Sequence, residues 1–194
     1  PNSSGTFTQG AGTAQISVGQ STMTFVLLDT LMGQHAVTVA KSGSGWATAV
    51  STYTVAPAPP SQLVFTTPAR YLVAGTTLQY EPNYTVGTPT HTVIQIRAMD
   101  PYFNVSPVSS NTVVNIYSDS TGARAWIDAS NLAAFKSIPG PAYSANVLPV
   151  QMLAGNSQVS IYYFDTVRGD QTMHAYDSSS ILQSTSITHY ISPA

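Results

Sequence analysis

The chain has 194 residues, 43% of them hydrophobic and only 7% charged, with a formal net charge of −2. Its 6 Lys and Arg are scattered, so they form no basic stripe to displace counterions, and nucleic acid is excluded as a partner. No run approaches the roughly 18 uninterrupted apolar residues of a membrane span, so none is expected in this segment, and Pro1-Asn2-Ser3-Ser4 is no secretory signal.

The chain contains no Cys, so no part of it depends on a redox compartment. A surface built from Ser, Thr, Asn, Gln and Tyr offers few Lys and Arg cleavage sites and little charge for salt to screen. Such a surface suits an extracellular or cell-surface protein.

Residues 1–13 are rich in Gly, Ser and Thr and read as loop. Residues 14–18 then alternate apolar with polar up to a turn at Gly19-Gln20, and 22–28 put Met23, Phe25 and Leu27 on one face. Two more strands are predicted at 35–41, with Val37 and Val39, and at 49–56, with Tyr53 and Val55. Pro57, Pro59 and Pro60 end this unit, because consecutive prolines cannot donate to a ladder. Beyond them come predicted strands at 62–67, 91–100, 112–117, 123–128, 147–154, 158–164, 171–176 and 185–192. Only residues 130–138 have any helical character. Short strands at this spacing predict an all-β immunoglobulin-like sandwich of about seven to nine strands. Its expected core includes Ile94, Ile96, Val114, Ile116, Val159, Ile161 and Met173, with at most one short helix around 131–136.

The chain also repeats itself. Residues 21–33 read STMTFVLLDTLMG and residues 157–169 read SQVSIYYFDTVRG, 136 positions apart. The same offset carries 14–58 onto 150–194 without a gap, matching Gly19 to Gly155 and Pro57-Ala58 to Pro193-Ala194. Residues 1–58 are therefore predicted to be the back half of a repeat, 59–60 a proline linker, and 61–194 a complete domain. Asp29, Thr30 and Gly33 should form the same structural corner as Asp165, Thr166 and Gly169, with the Asp capping the turn and the Gly taking positive φ.

The run Leu63-Val64-Phe65-Thr66-Thr67, then Ala74-Gly75-Thr76, the strand entering Asp100-Pro101-Tyr102-Phe103-Asn104-Val105, and Phe164-Asp165-Thr166 with Gly169 carry a family likeness. Together they resemble the bacterial immunoglobulin-like repeats of invasin- and intimin-type surface proteins. Phe103 stands where that family usually has Gly. The resemblance implies tandem β-sandwich modules in large surface or secreted proteins, and does not imply an enzyme.

No catalytic constellation is visible. His35, His91, His174 and His189 lie in no H-E-x-x-H or H-x-H spacing, and no G-x-S-x-G elbow is present. His189 shares the register of Tyr53 and reads as a packed histidine, whereas His174, in the register of Thr38, should point outward. No calcium loop pattern is present, and Asp165 with Asp170 or Asp100 with Asn104 read as turn caps ahead of a shared cation. Neither a metal nor a cofactor is expected. Tyr162, Tyr163, Phe164, Tyr176 and Tyr190 read as packing residues ahead of a sugar-stacking platform.

The expected function is a structural module of a surface stalk, sheath or filament; the alternative is an adhesin or carbohydrate-binding module that takes glycans. Met23, Phe25, Leu27, Val37, Val39 and Val55 form an apolar face that needs a cover. Another copy of the chain, by strand addition, or a neighbouring repeat of the same polypeptide is the expected partner.

Overall fold

The computed structural model describes residues 12–13, 15–41, 43, 45–74, 93–126, 136–137 and 147–193. The fold is all-β, and among the described residues there is no helix. Most of the stretch expected to be helical, 131–135, lies outside the described residues, while Lys136 falls in a two-residue strand. The chain divides into two compact units, Pro1–Ala56 and Pro57–Ala194.

In the first unit the described residues form one antiparallel hairpin of β1 (Gly33–Val39) and β2 (Ala49–Val55). Of the strands expected at 14–18 and 22–28, residue 14 lies outside the described residues, and residues 15–18 and 22–28 form no strand. Apolar alternation makes a segment fit to lie on a core, but a strand exists only where its N–H and C=O groups meet a partner. A hairpin carries that partner within itself. Residues 15–18 and 22–28 belong to no ladder among the described residues.

The second unit begins with β3 (Gln62–Phe65), β4 (Tyr71–Val73), β5 (Val93–Met99) and β6 (Thr112–Ser118). It continues with β7 (Arg124–Trp126), β8 (Lys136–Ser137) and β9 (Leu148–Met152). The last three strands are β10 (Gln158–Phe164), β11 (Gly169–Asp177) and β12 (Thr185–Ser192). They make two five-stranded sheets, ordered β3-β5-β10-β7-β8 and β4-β12-β11-β6-β9. This is the expected immunoglobulin-like sandwich, with ten strands among the described residues instead of seven to nine. The surplus comes from strands such as β4 and β8, which at three and two residues are too short to show a period of two. Among the described residues β4–β12 is the one parallel strand pair, accompanied by an isolated parallel bridge between Gln62 and Gln183.

The two sheets bury one core between them. Ile94, Ile96, Val114, Ile116, Val159, Ile161 and Met173 all lie in it, as the alternation required. Ala58, beside the proline pair, is tied to this unit: its N–H donates to Asp100 Oδ2 at 3.0 Å and its carbonyl accepts from Ser106 Oγ at 2.7 Å.

The repeat is present in the pairing itself. Gly33 pairs with Val55 and Val39 with Ala49, while Gly169 pairs with Ile191 and Ala175 with Thr185. Every one of these residues sits 136 positions from its counterpart. The turn before the Asp corner also recurs, with Gln20 N–H on Ser17 C=O at 3.0 Å and Asn156 N–H on Leu153 C=O at 2.9 Å. Gly19 and Gly155 carry it at φ of 84° and 85°.

Candidate functional site

The two Asp-Thr corners share their local chemistry. Asp29 Oδ1 accepts the N–H of Leu31 at 3.0 Å, and Asp165 Oδ1 accepts that of Val167 at 2.9 Å. Each is an Asx turn closing on its own backbone two residues ahead. Gly33 and Gly169 follow at φ of 138° and 109°, values that disfavour a side chain. His35 Nε2 donates to Leu31 C=O at 2.8 Å, where Gln171 Nε2 donates to Val167 C=O at 3.3 Å.

The second carboxylate oxygen is satisfied differently at the two corners. Tyr53 on β2 donates its hydroxyl to Asp29 Oδ2 at 2.7 Å. At the other corner the hydroxyl comes from Tyr163 on β10, also at 2.7 Å, and His189 takes Tyr53's place with its ring 5.4 Å from the Tyr163 ring. The phenol comes from β10 in the sheet opposite β12, the strand in the register of β2, and finds the same acceptor. Hydrogen bonding from Tyr53, followed by the Leu31 N–H, holds the Asp29 carboxyl below its ordinary value. Burial, reinforced by Asp165, pushes the Tyr163 hydroxyl up.

In the complete unit the front-half loop adds its own partner at the corner. Ser120 Oγ donates to Asp165 Oδ1 at 2.8 Å and accepts the N–H of Gly122 at 3.1 Å, and Gly122 C=O accepts from Thr166 N–H at 3.3 Å. A Cβ on Gly122 would lie 2.3 Å from Thr166 Oγ1 and 2.7 Å from Asp165 Oδ1, so the front-half loop needs this Gly to latch onto the back-half corner. Sequence reading missed Ser120 and Gly122, for which the turn residues Ser-x-Gly were the available signal.

The six residues of the expected assembly face keep their places but not their burial. Val159, Ile161, Tyr163, Met173, Ala175 and Ile191, the counterparts of Met23, Phe25, Leu27, Val37, Val39 and Val55, are all buried. In the first unit Met23, Phe25, Val37 and Val55 are half-buried, Leu27 and Val39 are exposed, and no described residue is fully buried. Val26 and Leu28 are 81% and 87% exposed. Both hairpin edges are also open among the described residues: β11 pairs with β6 and β12 with β4, but β1 and β2 have only each other.

On the outer face of the second unit lies a cleft of about 390 Å³ lined by Tyr117, His174, Tyr176, Ser184, Thr185 and Ser186. Tyr117 stacks on His174 with centroids 4.6 Å apart and planes 11° from parallel, and His174 Nε2 lies 3.0 Å from Asp119 Oδ2. This is not the grouping of rings considered from sequence. Tyr163 and Phe164 are buried in the sandwich and offer no face to a sugar, Tyr190 pairs with Tyr71 at 5.8 Å, and only Tyr176 of that set lines the cleft. Tyr117 and His174 replace them because alternation on β6 and β11 turns these rings outward.

The turn 100–105 is closed by Asp100, which is fully buried. Its Oδ1 accepts the N–H groups of Tyr102 and Asn104, both at 2.9 Å, and its Oδ2 accepts Asn104 Nδ2 at 2.9 Å and Ala58 N–H at 3.0 Å. Burial raises this carboxyl, but the hydrogen bonds from Asn104, Ala58 and Tyr102 outweigh it and hold the group below its ordinary value. Those donors occupy the oxygens a cation would need. Among the described residues no three His, Cys, Asp or Glu converge on a metal site. Phe103 sits at φ 64° where glycine would be unstrained, with its ring 66% exposed.

No protein-family model matches the chain, and no curated protein matches it. Among solved structures, domains 1–6 of the surface layer protein SbsC align at 13% identity and TM-score 0.39, over 84% of this chain and 17% of that one. SbsC domains 4 and 5 align at 14% identity and TM-score 0.38, over 84% of this chain and 59% of that one. A beta-glycosidase from Bacteroides vulgatus aligns at 18% identity and TM-score 0.43, over 82% of this chain and 17% of that one. Likenesses of this size fix neither a family nor a function for the chain.

Proposed function

We propose that the chain is a structural module of an extracellular or cell-surface assembly, a stalk, sheath or filament built from repeated immunoglobulin-like sandwiches. One observation carries this reading: two back halves in one chain share pairing register, turn and Asp corner across 136 residues. Repetition of a whole supersecondary unit is the mark of an array whose units each contact their neighbours. The low charge fits a surface facing variable salt. Electron microscopy of the native material tests it. Regular beads along a filament, sheath or stalk are expected; isolated compact particles would end the reading.

The outer cleft favours a second reading, an adhesin or carbohydrate-binding module. Stacked rings beside Ser and Thr hydroxyls supply the apolar face and the hydrogen-bonding groups that a sugar ring requires. A glycan array giving one saturable ligand, lost in Tyr176→Ala, would support it. Equal binding by that variant would remove the cleft from consideration.

A further inference from the structure

We propose that the open face of the first unit is the docking surface for a front half-sandwich homologous to residues 61–149, carried on a stretch of polypeptide other than residues 61–149 of this chain. The inference rests on the array reading above and names the partner that one face of the array requires.

The second unit shows what that partner must bring. Its β11 takes an antiparallel neighbour in β6, whose Val114 and Ile116 point into the core, and its β12 takes a short parallel neighbour in β4. Its β10 lies between β5 and β7. The stretch 22–28, in the register of β10, needs the same two flanking strands before it can join a ladder. Asp29 needs the equivalent of the Ser120 hydroxyl and of the Gly122 loop. All of these elements lie in the front half. None belongs to the repeated segment.

Counting halves rules out residues 61–149 of a second copy as the donor. Residues 14–194 hold two back halves, 14–58 and 150–194, and one front half, 61–149. That front half is occupied, since Leu63, Ile94, Ile96, Val114 and Ile116 are buried in one cluster with Val159, Ile161 and Met173. Exchanging these front halves between copies only moves the vacancy, so residues 14–194, however many copies meet, leave one back half in each uncovered. The first unit therefore takes a front half from outside residues 61–149, whose recognition surface is alternating β-strand with Val and Ile inward.

The test compares the full chain with a version in which an added copy of residues 61–149 is joined directly ahead of residue 14. Amide exchange at residues 22–28 is the readout. The extra front half is expected to slow exchange there by at least about 100-fold, because a ladder forms where none existed. A second version carries Leu27→Tyr and Tyr53→His, which restore the ring and imidazole that the added front half packs against at the other corner. No gain of protection in either version overturns the proposal. It is equally overturned if the unmodified chain at high concentration forms a discrete dimer that protects residues 22–28 to the same degree, since a second copy would then suffice. Isolated particles in the native material, with protection still gained in the extended version, would contradict the array reading alone.

Discussion

Residues 14–58 and 150–194 are the same pattern in two surroundings. The hairpin, the glycine turn and the Asp corner form in both, because their hydrogen bonds close within the segment itself. The strand before the corner forms only in the second, where β5 and β7 flank it. Burial follows the same division, with Ile161 fully buried and its counterpart Phe25 only half-buried. Local chemistry sets the shape of a back half. The front half supplies the core.

That contrast should show most strongly in core truncation. Ile161→Ala is expected to cost about 2–5 kcal/mol through transfer and cavity terms, whereas Phe25→Ala in the chain alone should cost less than about 1 kcal/mol, as near-surface changes do. Urea unfolding measures both, and equal losses would break the comparison.

The next effect is a pH dependence confined to the second unit. Burial first, and then the Arg70 charge, lower His189 to about 4 from its ordinary 6.5. Between those values the unfolded chain binds a proton that the folded chain refuses, so stability falls as pH drops from about 6.5 to 4. The loss is about 2–3 kcal/mol. Tyr53, the counterpart, remains a neutral phenol throughout that window. Unfolding at pH 7 and pH 4.5 should show the drop, and His189→Gln should flatten it; an unchanged drop would place its origin elsewhere.

At the corners, Asp165→Ala leaves the Tyr163 and Ser120 hydroxyls buried without their acceptor and should cost about 2 kcal/mol. Asp29→Ala should cost clearly less, because its corner is open to water. Comparable losses would mean the front-half latch contributes nothing. The smallest effect tests the front half alone. Phe103→Gly relieves roughly 1–2 kcal/mol of left-handed strain and adds roughly 0.5–1 kcal/mol of chain entropy cost, so it should stabilise the fold by about 0.5 kcal/mol. Destabilisation would show that the exposed ring makes contacts that matter to the turn.

Much of this was legible in the residues. Alternation at Ile94, Ile96, Val159 and Ile161 fixed both the sandwich and its core, since apolar residues at a period of two have only one buried face. The repeat makes the Asp corners and the place of His189 readable from the residues alone. Two things were not legible. Alternation at Met23, Phe25 and Leu27 cannot report whether a ladder partner exists, and so the strand expected at 22–28 was absent. The Tyr117–His174 cleft was missed because stacking between β6 and β11 depends on a register that no local pattern encodes.

The central claim is that the first unit is a back half whose ladder awaits its front. Native-state amide exchange on the intact chain tests it most directly, comparing residues 22–28 with 158–164 in one experiment. The account predicts that 158–164 exchange only with global unfolding of the second unit, whereas 22–28 exchange at nearly the rate of an open chain. Matching protection in the two stretches would contradict it.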